Sequence, residues 1–318
     1  TATTTTTSTT APPPTTTTTA PDAGGDPPPV TLPTTVQVAP QPVSATRDVR
    51  LWPFASDSVW NTPRGADATF DARQIVGSGE INATNGYGVS VGNAGYPLVD
   101  QSLASQYAES HYSLVNPDAV TATEWYQYQN PANVNRNNIV TDLRQGGIFG
   151  SGISDGPFGS VHQVRASKVS QLAGLLRAYD ITQGAIRHAL SIALPNRALK
   201  PGWVWPAAGQ DGDASTAYGG FVPMGAFLAI PSDAPMPQGM SAVGQMIWTA
   251  LRDYGAYVVD RGATAPLFAE AAAGPAVEPA RADLARIWPQ LRMVTNADRS
   301  HVGGPGDRLA ALAPAVAP

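Results

Sequence analysis

The chain has 318 residues, room for one large or two modest domains. It has no cysteine, which excludes disulfides, thiolate nucleophiles and Cys-ligated metal sites. Its formal charge is −5 and only 14 % of its residues are charged, so it lacks a basic face for phosphate and no nucleic-acid partner is expected.

Residues 1–46 form a Thr/Pro tract that opens "TATTTTTSTTAPPPTTTTTAP" and offers almost no side chains for a core. Proline favours extended polyproline geometry and removes backbone donors. The tract reads either as a plain disordered linker or as a glycosylated, wall-spanning spacer. Such tracts are unusual ahead of cytosolic enzymes, so a secreted or cell-wall-associated protein is expected. The remainder, 47–318, is expected to be a single β-sandwich domain. No apolar stretch approaches about 18 residues, so no membrane span is expected.

Short apolar runs bounded by Gly or Pro then follow one another. "YGVSV" (87–91), "TEWYQYQ" (123–129), "GLLRAYDI" (174–181), "HALSIAL" (188–194), "GWVWPA" (202–207), "GAFLAI" (225–230) and "AYVVDRG" (256–262) read as strands. "VRASKVSQLAGLL" (164–176) stays open between helix and strand. "SAVGQMIWTALRDYG" (241–255) is the clearest helix: one apolar stripe, Ser241 or Met240 at its start and Gly255 at its end. "ARADLARIWPQL" (280–291) is a second, interrupted at Pro289. "GSGISDGPFG" (150–159) lacks the P-loop lysine and reads as a surface loop. The expected fold is all-β, an antiparallel two-sheet jelly-roll or concanavalin-like sandwich with one or two packed helices.

The four histidines, at 111, 162, 188 and 301, open the inventory of chemistry. A hairpin between the strands around His111 and Glu124 would set those two side chains on one face. A second hairpin through "ITQGA" would bring Asp180 opposite His188, where the carboxylate orients the imidazole. Arg187 alternates with His188, so only one of them faces such a site. Asp155, Asp142, Glu109 and Glu80 are further carboxylates for a glycosidase, which needs two across a cleft. A lyase would instead use His188 or Tyr126 as base, with Arg177 neutralising a uronate. No HExxH or EF-hand pattern occurs to support a metal site, and no cofactor is expected. Trp125 and Tyr126 lie among glutamines, and strand alternation would put Trp203 and Trp205 on one face. Aromatics beside amides suit sugars.

"SVWNTP" (58–63), "LAGLLRAYDITQGAIRHALSIALP" (172–195), "PMGAFLAIP" (223–231), "ALRDYGAYVVDRG" (250–262) and "VTNADRSHVGGPGDR" (294–308) together resemble a family of secreted, poorly characterised bacterial and fungal proteins. The resemblance spans nearly all of 52–308. It implies a concanavalin-like sandwich and a link to carbohydrate. It also implies roles for His111 before the "NPD" turn, Glu124 on the next strand and Asp180 at an acidic position. His162 is the nearest match to an altered His-Gly-Gly-Ser loop.

The expectation is therefore a secreted polysaccharide-degrading enzyme, hydrolase or lyase, with Glu124, His188, Asp180, His111 and Asp155 as site residues. The partner would be a polysaccharide or cell-wall glycan. Two alternatives stand beside it: a non-catalytic carbohydrate-binding or wall-associated module, and a structural surface protein.

Overall fold

The computed structural model describes residues 44–82, 87–91, 111–116, 120–126, 138–144 and 165–317. In chain order the strands are β1 (Thr46–Arg47), β2 (Gly79–Asn82), β3 (Tyr87–Val91), β4 (His111–Val115), β5 (Thr121–Tyr126), β6 (Asn138–Asp142), β7 (Leu190–Leu194), β8 (Leu199–Trp203), β9 (Val222–Met224), β10 (Phe227–Ala229), β11 (Ala256–Arg261), β12 (Ala265–Phe268), β13 (Arg292–Met293) and β14 (Ala315–Val316). The helices are α1 (Ala178–Thr182), α2 (Ala214–Ala217), α3 (Ala242–Asp253), α4 (Gly274–Val277) and α5 (Leu284–Ile287).

A six-stranded sheet runs β13-β10-β11-β7-β12-β2, and a four-stranded sheet runs β3-β4-β5-β6. Two small pairs, β1-β14 and β8-β9, complete the set among the described residues. β7 is buried along its whole length because the six-stranded sheet is covered on both faces. Leu190, Ile192 and Leu194 pack with Leu228, Val258 and the apolar sides of α3 and α5. Ala193, Tyr257 and Val259 point the other way, into a cluster with Trp60, Leu172 and Leu175. That same cluster takes in Val115 and Ala122 of the four-stranded sheet. The period-2 alternation of β7 and β11 thus feeds two cores at once.

The fold is strand-rich with few, short helices, but the sheets are not uniformly antiparallel as expected. β7–β11, β2–β12 and β3–β4 run parallel, while β10–β11, β7–β12, β4–β5 and β5–β6 run antiparallel. The reason is connectivity. β8, β9, β10 and α3 intervene between β7 and β11, and a connection of that length lets the chain return in the same direction.

Local readings fare unevenly. α3 starts after Ser241, whose hydroxyl accepts from the Gly244 amide, and Gly255 follows at φ +72°. The 280–291 segment breaks into α5 flanked by tighter turns around Pro279 and Pro289. "GLLRAYDI" is not a strand: Gly174 turns at φ +69° and α1 begins at Ala178.

Candidate functional site

α1 and the entry to β7 meet at His188. Asp180 sits in the first turn of α1, where its Oδ2 accepts from the Arg177 amide at 2.8 Å. The same oxygen lies 3.1 Å from His188 Nε2, and His188 Nδ1 lies 3.0 Å from the Ala189 carbonyl. The expected Asp180–His188 contact therefore forms, but a helix cap presents the carboxylate, not a hairpin. Arg177 donates through Nε to Glu270 at 2.6 Å, and Glu270 also accepts from the Ala178 amide at 2.5 Å. Glu270 lies 93 positions away in the chain, so no local pattern announced it.

Both ring nitrogens of His188 face acceptors, and only the imidazolium can donate to both. Burial pushes its pKa down, but the Asp180 carboxylate, its hydrogen bond and the Ala189 carbonyl outweigh that and hold it above the ordinary imidazole value. Trp52, Phe54, Trp60, Asn61, Leu172 and Arg177 surround a small cleft beside His188. Its free volume is about 10 Å³, the room of one water and far short of a sugar ring.

Glu124 is fully buried on β5. Ser170 Oγ donates to its Oε1 and the Gln171 amide to its Oε2 at 2.8 Å. Gln171 Nε2 also donates at 2.6 Å to Ser113, the cross-strand partner of Glu124. β4 and β5 pair antiparallel, with His111 opposite Tyr126 and two positions along from the Ser113–Glu124 pair. Among the described residues, the hydrogen bonds of Glu124 run to Ser170 and Gln171, and those of His188 to Asp180 and Ala189. Asp142 pairs with Arg144 at 2.9 Å, Glu80 accepts from the Thr264 hydroxyl, and exposed His301 lies 3.2 Å from Asp298. Asp155, Glu109 and His162 lie outside the described residues. Among the described residues no three His, Asp or Glu side chains gather as a metal would require, and no helix is long and apolar enough to cross a membrane.

A second surface lies at the end of β8. Trp203 is 51 % exposed and Val204 44 % exposed. β8 ends at Trp203, the alternation stops, and Trp205 turns inward against the core instead of sharing a face with Trp203. The backbone here is braced. Val204 N donates to Met224 O at 2.9 Å, and Ala207 N to Val204 O at 3.0 Å. Gly225, at φ +84°, comes so close that a Cβ there would lie 1.9 Å from the Val204 carbonyl oxygen. Gln210 Oε1 accepts from Gly202 N at 2.7 Å, which ties that side chain to the backbone one residue before Trp203.

Comparison with protein-family models, with curated proteins and with solved structures finds no match for this chain.

Proposed function

We propose that this protein binds a polysaccharide outside the cell, at or in the wall, as a non-catalytic module. The carrying observation is the exposed indole of Trp203, next to exposed Val204, on a backbone braced through Val204 N and Gly202 N. A sugar ring offers C–H groups to an indole face and hydroxyls to a neighbouring amide. A platform that is rigid beforehand loses little entropy when it binds. The Thr/Pro composition of residues 1–46 supports a position beyond the cytosol. A jelly-roll-like sandwich belongs to the same reading, supported by the apolar cluster that the two larger sheets share.

Three features favour binding over cleavage. Both nitrogens of His188 are engaged, so it is poorly suited to take a proton. Glu124 is buried with both oxygens bonded. The cleft beside His188 admits a water, not a saccharide.

A polysaccharide hydrolase or lyase is the second reading, with Glu124, His188, Asp180, His111 and Asp155 as its residues. One observation favours it: His188, which pairs with Asp180, and Arg177 border a cleft walled by Trp52 and Trp60.

Both readings meet one experiment. The full chain is run through gels containing neutral and acidic polysaccharides, and the same mixtures are assayed for new chain ends. Retention by at least one polymer is expected, weakened about tenfold in Trp203→Ala by loss of stacking. Unchanged retention in that variant removes the platform. New reducing or unsaturated ends that vanish in His188→Ala establish the enzyme.

A further inference from the structure

We infer that Gln210 and Arg261 are positioning residues for saccharide binding: through a bulge in β8 they set the direction in which Trp203 points. This rests on the binding reading above and names the device that orients its indole.

The pairing of β8 with β9 is interrupted just before Trp203. Leu199 faces Val222 and Lys200 faces Pro223, but Met224 then faces Trp203, so Pro201 and Gly202 are extra. Inserted residues bend a strand and re-aim the side chain that follows them. Neither Pro201 nor Pro223 has an amide hydrogen, so the ladder lacks a donor on both strands here. Gly202 takes φ +95°, a conformation that a residue with a side chain would resist. Its amide donates to Gln210 Oε1 at 2.7 Å, so a side chain eight positions on supplies the acceptor for the bulge. Bonding to β9 resumes at Val204 N, which donates to Met224 O at 2.9 Å. Trp203 lies between these two fixed amides.

Gln210 can hold the bulge only if its own loop is fixed. On one side, Ala208 N donates to Ser167 O at 3.0 Å. On the other, Asp211 follows Gln210 directly. Arg261 ends β11, an interior strand of the six-stranded sheet, and reaches this loop. Its Nε lies 3.3 Å from Asp211 Oδ1, and its Nη1 donates to Asp213 Oδ1 at 2.8 Å. Buried Tyr218 donates to the other Asp211 oxygen. One guanidinium therefore bridges two carboxylates, which suits a rigid fork and not a single ammonium. The contacts run in series: Arg261 to Asp211, Gln210 to Gly202, and Gly202 into Trp203. An ion pair this exposed adds little to stability by itself. Its value lies in orientation, because an indole fixed beforehand loses less entropy on binding.

The test titrates the full chain and its variants with dextran, xylan and polygalacturonate, and reads affinity for the polymer bound most tightly. Thermal melting confirms that each variant is folded. Arg261→Gln and Gln210→Ala should each weaken binding about three- to fivefold, and the double variant no more than the stronger single one, as residues acting in series do. Gln210→Glu, which keeps the accepting oxygen, should recover most of what Gln210→Ala loses. In a Trp203→Ala background neither change should weaken binding further, whereas a merely structural role would weaken both backgrounds alike. Should Arg261→Gln fail to fold, Asp211→Asn breaks the same link from the loop side. Wild-type affinity in Arg261→Gln and Gln210→Ala, with Trp203→Ala weakened, overturns the positioning role and leaves the platform standing. Equal losses with and without Trp203 overturn it as well. Binding that Trp203→Ala leaves unchanged, or no binding to any polymer, overturns the platform, and this inference falls with it.

Discussion

His188 is held as a cation by geometry: one carboxylate oxygen and one carbonyl, each near 3 Å, on opposite sides of a buried ring. Its pKa is raised above the ordinary 6.5 because Asp180 and Ala189 together outweigh burial. A group raised in this way stabilises the fold fully below its unfolded pKa, and that contribution is lost as pH climbs through the folded value. Asp260 has the same sign in a lower window, since burial pushes its carboxyl up to about 6 against the pull of Arg165. Above about pH 7 Asp260 no longer contributes a slope, so His188 can be read there by itself. The melting temperature should fall between pH 7 and pH 9, and His188→Gln should flatten that fall. Thermal unfolding of both proteins across this range checks it, and parallel curves would sink the imidazolium. The same cation explains why the pair Asp180–His188 reads as catalytic in sequence. A carboxylate eight positions from a histidine is the right chemistry, but the ring's second acceptor is a main-chain carbonyl, which no residue letter encodes.

At the scale of elements, α3 depends on a junction at its start. Ser241 Oγ accepts from Gly244 N at 3.0 Å and donates to Asp283 Oδ2 at 2.7 Å, and Ser241 N donates to that same oxygen at 2.9 Å. Gly244 leaves the space, for a Cβ there would stand 2.2 Å from Asp283 Oδ2. Ser241→Ala should therefore cost about 1–2 kcal/mol, seen as a lower denaturant midpoint at unchanged slope. A change below a few tenths would mean that Asp283 alone caps the helix. α3 was legible because all its signals are local: a capping serine, a 3.6-residue stripe and a terminal glycine. β7, β10 and β11 were legible as apolar runs between breakers. α1 was not. "LLRAYDI" has strand-like composition, and its helical turn is held by Asp180 on the Arg177 amide and by Glu270 from β12's far end. Nor was the parallel pairing of β7 with β11, since direction depends on how the intervening chain returns. The platform was half legible: period 2 found Trp203, but it assigned Trp205 to the same face because it assumed that β8 continues.

At the scale of the molecule, the two ends of the described chain are joined. β1 pairs parallel with β14, Thr46 against Ala315 and Arg47 against Val316, and Ala317 N donates to Arg47 O at 2.8 Å. Arg47 is the staple. Its Nε donates to Pro314 O at 2.9 Å, and its two terminal nitrogens donate to the Trp52 and Phe54 carbonyls. Burial lowers its pKa to about 10, still well above neutrality, so it remains a cation that no described carboxylate pairs. Removing it strands three carbonyls, and Arg47→Met, which keeps the apolar stem, should cost about 3 kcal/mol. Arg47→Lys should rescue little, because one ammonium cannot reproduce the planar fork. The last residues, from Ala313 onward, should become protease-sensitive in both variants before the core unfolds. Trp52 and Phe54 also wall the cleft beside His188, so loosening Arg47 disturbs that cleft and leaves the β8–β9 platform intact. Polysaccharide retention by folded Arg47→Met should accordingly match the wild type. If retention falls with the C-terminal segment freed and Trp203 untouched, the saccharide is held at the cleft, and the binding face belongs to His188 rather than to Trp203.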